Sequence, residues 1–229
     1  MIINDIDAMQ CELDGKMEDV ADSLSDEAVY DGIICPERYV KSKYKVLWLA
    51  REPHDDGGDY DYKSDIMNKI KAGELVGNKY FNKMRDLQYS LNNGYLDWDG
   101  LKNIDRKDYN YNNIGDIAFI NCSKIPGGAN LDWGKWWSNC EAFKDIVAKQ
   151  IEIANPDIII CVGTRNYLEK YGYLNDAIMR AKSYRNYYLK EGRLILDCYH
   201  ISARYSNRLY FNDIISSIKE WKNLTIAST

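Results

Sequence analysis

The run Lys45-Val46-Leu47-Trp48-Leu49-Ala50, followed at once by Arg51-Glu52-Pro53-His54, decides how this chain is read. Five consecutive apolar residues cannot alternate between core and water, so the run predicts a strand buried on both faces. A charged pair and then Pro53, which has no N–H for a strand ladder, end it. Asp157-Ile158-Ile159-Ile160-Cys161-Val162 repeats the pattern and stops at Gly163. Asp116-Ile117-Ala118-Phe119-Ile120 is a shorter version that stops at Asn121. Residues 184–189 and 193–198 read as further strands, the last followed by Tyr199-His200.

Between these runs the apolar spacing turns helical. Residues 6–24, 64–72, 78–92, 138–154, 164–172 and 209–221 read as helices, and Tyr95 to Asn113 as a tyrosine- and asparagine-rich loop. Fully apolar strands alternating with helices imply a parallel sheet covered on both faces. The expected fold is therefore α/β, three layers of α/β/α with a central, mainly parallel four-stranded sheet. With no Gly/Ser/Pro linker, the 229 residues form one domain: an N-terminal helical extension over 1–40 and a core over 41–222.

Composition narrows the function. Hydrophobic residues make up 45% and aromatics 13%, enough for a real core, so disorder and collagen-like structure are excluded. No apolar run approaches the roughly 18–20 residues of a membrane span. The acidic N-terminus lacks the basic and apolar regions of a signal peptide, so a cytoplasmic location is expected. Six cysteines without a CxxC pair point to reduced thiols rather than a zinc or iron–sulfur site, and no metal or other cofactor is expected. The net charge of −5, concentrated in the first third of the chain, argues against indiscriminate phosphate binding but leaves room for a local basic face.

In parallel α/β sheets ligands sit at the carboxyl ends of the strands. Both histidines of the chain, His54 and His200, fall there. Glu52 is held on a stiff turn, where a carboxylate can position water or stabilise a cation. Asn121 offers an amide donor and acceptor suited to one edge of a planar base. His200 can donate to an anionic leaving group. Taken singly, each also has an ordinary structural reading, as a loop acid, a turn asparagine and a backbone-bonded histidine.

Together these strand ends resemble the uracil-DNA glycosylase superfamily. Leu49-Ala50-Arg51-Glu52-Pro53-His54 is similar to its glycine-glutamine-aspartate-proline-tyrosine motif, and Phe119-Ile120-Asn121 to the strand end whose asparagine reads the pyrimidine. Asp157 to Gly163 is similar to its apolar strand ending in glycine, and His200-Ile201-Ser202 to its histidine-proline-serine motif. The order holds over about residues 40–221. The resemblance implies a monofunctional glycosylase acting as a monomer on DNA with a flipped pyrimidine. In it Glu52 and His200 are catalytic, and Asn121, His54 and one of Tyr60, Tyr62 or Phe81 bind the base. Lys124, Arg165, Ser202, Arg204, Tyr205 and Arg208 would contact DNA. His54 replaces the tyrosine that excludes pyrimidines substituted at carbon 5, so a 5-modified cytosine stands beside uracil as substrate, in phage defence rather than repair. The alternatives are a catalytically silent DNA- or protein-binding member and a hydrolase of free nucleosides.

Overall fold

The apolar runs form the strands expected of them, and the computed structural model adds several elements around them. It describes residues 3–54, 60–128, 130–182, 185–201 and 206–227. In chain order the elements begin with α1 (Ile3–Ser23), β1 (Val29–Tyr30), β2 (Gly32–Ile33), α2 (Pro36–Tyr39), β3 (Val46–Ala50) and β4 (Tyr60–Asp61). Then come α3 (Tyr62–Ala72), α4 (Lys79–Asn92), α5 (Trp98–Leu101), β5 (Ile117–Asn121), α6 (Trp133–Ala154) and β6 (Ile158–Val162). The chain ends with α7 (Arg165–Lys170), β7 (Ile178–Ala181), β8 (Asn186–Lys190), β9 (Arg193–Cys198) and α8 (Asn207–Ala227).

Among the described residues the main sheet has seven strands in the order β2-β5-β3-β6-β9-β8-β7, not four. Its centre, β5-β3-β6-β9, is the expected parallel set of four. Antiparallel strands widen it on both sides: β2 beside β5, and β8 then β7 beyond β9. A strand of two residues leaves no periodic signal, and all four residues of β7 are exposed, so neither edge could be read from apolar patterning.

Alternation along each strand divides the core into two layers. Val46, Trp48, Ala50, Ile117 and Phe119 face α3, α4 and α8, whereas Leu47, Leu49, Ala118 and Ile120 face α1, α6 and α7. Two segments differ from expectation. The stretch 95–113 is not plain loop, since it contains α5 and a 3-10 turn and leads into a second at Tyr111–Asp116 that buries Tyr111 and Ile114. Residues 1–40 are not an appendage either. Ile6, Leu13, Met17 and Ala21 of α1 belong to the core packed on α6, and β2 closes one edge of the sheet.

Met17 is fully buried, so Met17→Ala should destabilise the protein by about 2–5 kcal/mol. Urea unfolding followed by circular dichroism measures this, and a change near zero would return α1 to the status of a detachable extension.

Candidate active site

Register brings the candidate residues to one edge. Ala50 pairs with Asn121, Leu49 with Cys161, and Val162 with Cys198, so the four parallel strands end nearly level. Asn121, Arg51-Glu52, Gly163 and Tyr199-His200 therefore follow one another across a span of about 14 Å, three strand spacings. Gly163 has φ of +78°, a conformation that side chains disfavour, and a Cβ there would lie 3.7 Å from that of His200. A pocket of about 660 Å³ opens at this edge. Arg51, Glu52, His54, Asn121 and His200 line it, with an aromatic wall.

Glu52 is half-buried, and its Oε2 is buried without a hydrogen-bond partner among the described residues. Burial raises its pKa above the ordinary 4.5, opposed by the charge of Arg51. Its seat depends on Gly127, which donates its N–H to the Pro53 carbonyl (2.9 Å) and bridges to His54. A Cβ on Gly127 would stand 2.6 Å from Glu52 Oε1 and 2.7 Å from its Cγ, so the acid has room only because residue 127 is glycine.

Asn121 is 1% exposed. Its Nδ2 donates to Asp31 Oδ2 (3.0 Å), and its buried Oδ1 has no partner among the described residues. A buried acceptor left so costs about 1–3 kcal/mol, a deficit that a ligand donor can remove. Lys124 does not meet phosphate. It is completely buried, and its Nζ donates to Asp31 Oδ1 (2.5 Å) and Gln150 Oε1 (2.8 Å). A lysine so enclosed is a structural cation, and it stands three residues from the pocket asparagine.

His200 is held neutral: burial first, then the nearby charges of Arg51 and Lys83, lower its pKa to about 4. Lys83 also donates to the Ile201 carbonyl (2.6 Å), and Ile201 is buried. Ile201 is thus anchored by packing and one charged hydrogen bond. Arg51 joins the electrostatics of both Glu52 and His200, a role that the motif resemblance does not assign it. The signal was a cation directly before the acid at a strand end.

Tyr60, Tyr62, Phe81 and also Tyr80, Tyr111 and Phe119 form the aromatic wall. Their rings meet mostly edge to face, with centroids 4.9 Å apart for Tyr60–Tyr62, 5.3 Å for Tyr62–Phe119 and 6.2 Å for Phe81–Tyr111. Phe119 lies two residues before Asn121 on the same face of β5, a placement that the strand period made legible. His54 lines the pocket with an exposed side chain, at its mouth rather than its floor.

The remaining candidates lie elsewhere. Arg165 borders a neighbouring cleft of about 450 Å³ with Lys182 and Arg185, and pairs with Glu169 at 3.0 Å. Arg208 is exposed on α8 and pairs with Asp99 at 2.6 Å. Ser202, Arg204 and Tyr205 lie outside the described residues. Among the described residues no group of three or more His, Cys, Asp or Glu is placed to hold a metal ion, and no helix is long and apolar enough to cross a membrane. Compared with known proteins, the chain matches no family model and no curated sequence.

Removing one member of a buried ion pair strands the other. Lys124→Met should therefore cost about 3–5 kcal/mol in urea unfolding. The salt dependence of any DNA binding should stay unchanged, and a flattened slope would restore Lys124 to a phosphate contact.

Proposed function

We propose that the protein is a DNA glycosylase that hydrolyses the N-glycosidic bond of a flipped pyrimidine and leaves an abasic site. The observation that carries this reading is one pocket in which a carboxylate oxygen and an amide oxygen, both without a hydrogen-bond partner among the described residues, and a neutral imidazole share an aromatic wall. Each feature fits one demand of the reaction. The transition state is a sugar oxocarbenium ion with a departing base anion. Glu52, ionised, holds the attacking water and faces the developing sugar cation. His200 donates a hydrogen bond to the base O2 as negative charge gathers there. A neutral imidazole suffices, because its N–H is the group used. Asn121 meets the polar edge of the base, and the aromatic rings offer it stacking surface.

The pocket volume leaves room for a base larger than uracil. About 660 Å³ lies within the range of about 300–1,000 Å³ seen for drug-sized ligands, more than one bare pyrimidine ring fills. With His54 at the mouth in place of a closing tyrosine, a 5-substituted cytosine or uracil is the substrate we favour. Phage genomes with modified bases supply such substrates, and excision there acts in defence.

The experiment is incubation with duplexes carrying uracil, thymine mismatches or 5-substituted cytosines, followed by alkali cleavage at abasic sites. Free nucleosides carrying the same bases run alongside. Strand cleavage at a modified base supports the reading. Release from nucleosides alone would replace it with a nucleoside hydrolase, and binding without release would leave a silent member of the fold.

Glu52→Gln should slow excision by roughly 10²-fold or more with similar duplex affinity. Gly127→Ala should approach that loss by displacing the carboxylate while thermal stability changes little.

The pH profile has a definite sign. Excision requires Glu52 ionised, so the rate is full above its pKa and falls as pH drops through a value above 4.5. His200 is already neutral above about 4, so no inflection should appear near the ordinary histidine value of 6.5. Single-turnover rates across this range test it, and an inflection near 6.5 that vanishes in His200→Gln would show an imidazolium at work instead.

A further inference from the structure

Asn121 reaches the pocket with its amide already oriented from behind. Asp31, 1% exposed between β1 and β2, accepts through Oδ2 both the main-chain N–H of Asn121 (2.7 Å) and its Nδ2 (3.0 Å). One oxygen that serves both donors lies on the main-chain side of the amide. It therefore takes the Nδ2 hydrogen that points back along the side chain. The other Nδ2 hydrogen stays beside Oδ1, so a ligand group that meets the end of this amide finds a donor and an acceptor side by side.

The order of that pair matters. An asparagine amide is nearly symmetric in shape, so a half-turn about its last bond exchanges oxygen for nitrogen at little steric cost. Here the half-turn would set Oδ1 against the Asp31 carboxylate, acceptor against acceptor. The carboxylate is in turn fixed by Lys124 at 2.5 Å and by Gln150, whose Nε2 donates to both Oδ1 (3.1 Å) and the carbonyl (2.9 Å) of Asp31.

Keto and amino pyrimidines differ in this same respect. A keto base shows a ring N–H beside a carbonyl oxygen, and an amino base shows a ring nitrogen acceptor beside an amino group. In a given base pose, an amide locked in one orientation complements one of these edges and opposes the other.

We propose that Asp31, held by Lys124 and Gln150, is the positioning residue that sets which pyrimidine edge the pocket reads. This rests on the glycosylase reading for the identity of the ligand, but the amide orientation does not depend on it.

The test uses the charge-balanced double variant Asp31→Asn/Lys124→Met, since removing a buried ion pair whole is far better tolerated than removing half of it. Excision of keto and amino pyrimidines, plain and 5-substituted, is measured in one duplex context for parent and variant. The parental ratio between the two classes should shrink on the order of ten- to a hundredfold, the worth of one paired base edge. Equal loss on both classes with the ratio intact would mean that Asp31 only supports the fold, and the proposal would be overturned.

Two further measurements on ¹⁵N-labelled full-length protein need no excision, so they separate this proposal from the glycosylase reading. In the parent, one Asn121 side-chain amide hydrogen should exchange with deuterium at least about tenfold more slowly than the other. This holds even where the variant fails to fold, and equally fast exchange of both overturns the proposal. Titration with free uracil and free cytosine should shift the parental Asn121 amide signal with one base only, and the variant's with both. A parent that responds alike to the two bases, or to neither, refutes it. A parent with the expected exchange and titration that excises no base from the panel defeats the glycosylase reading and leaves the assignment of Asp31 standing.

Discussion

Coverage of the sheet on both faces is the constraint from which the rest follows. β3, β5 and β6 are buried at every position, so a polar side chain placed between their ends would have no water and few partners. Chemistry is pushed to where the strands stop. Parallel register then brings those stops level, and residues as far apart as Glu52 and His200 come to line one pocket. A parallel sheet of this kind creates an edge of strand ends before any particular reaction is considered.

Burial at that edge acts on the two titratable groups in opposite directions, and Arg51 breaks the tie. Removal from water favours the neutral form of both, which raises the pKa of Glu52 and lowers that of His200. For a carboxylate that must be charged, the first shift is adverse. For an imidazole that must donate as a neutral group, the second is helpful. The guanidinium of Arg51 opposes the first and reinforces the second. One cation thus biases the pocket toward an ionised acid facing a neutral histidine, the combination a glycosylase of the proposed kind requires.

The ion cluster of Asp31, Lys124 and Gln150 shows a different use of burial. Such a pair gains little net stability, because desolvating two charges offsets most of their attraction. What it confers is direction. It fixes two hydrogen bonds to Asn121, a residue whose side chain has no intrinsic preference between its two amide orientations. It also ties the junction of β1 and β2, the turn after β5 and α6 into one unit, which explains why the N-terminal segment is integral to the fold.

The sequence by itself determined the parallel centre of the sheet and the positions where its strands end. A strand buried on both faces must be apolar throughout, and that requirement is written in consecutive residues such as Val46–Ala50 and Ile158–Val162. It therefore also determined that Glu52, Asn121 and His200 stand at one edge. The extent of the sheet was not legible, because β2 and β7 are too short or too exposed to carry a pattern. The role of Lys124 was not legible either: a lysine after a strand looks like a solvated cation. Only the tertiary structure decided otherwise, since its partners Asp31 and Gln150 lie 93 and 26 residues away, and no local rule connects positions that far apart. The same holds for Gly127, whose missing side chain is the space that Glu52 occupies. Local periodicity reports which face of an element is buried; what a buried polar group meets there depends on contacts that only the folded chain makes.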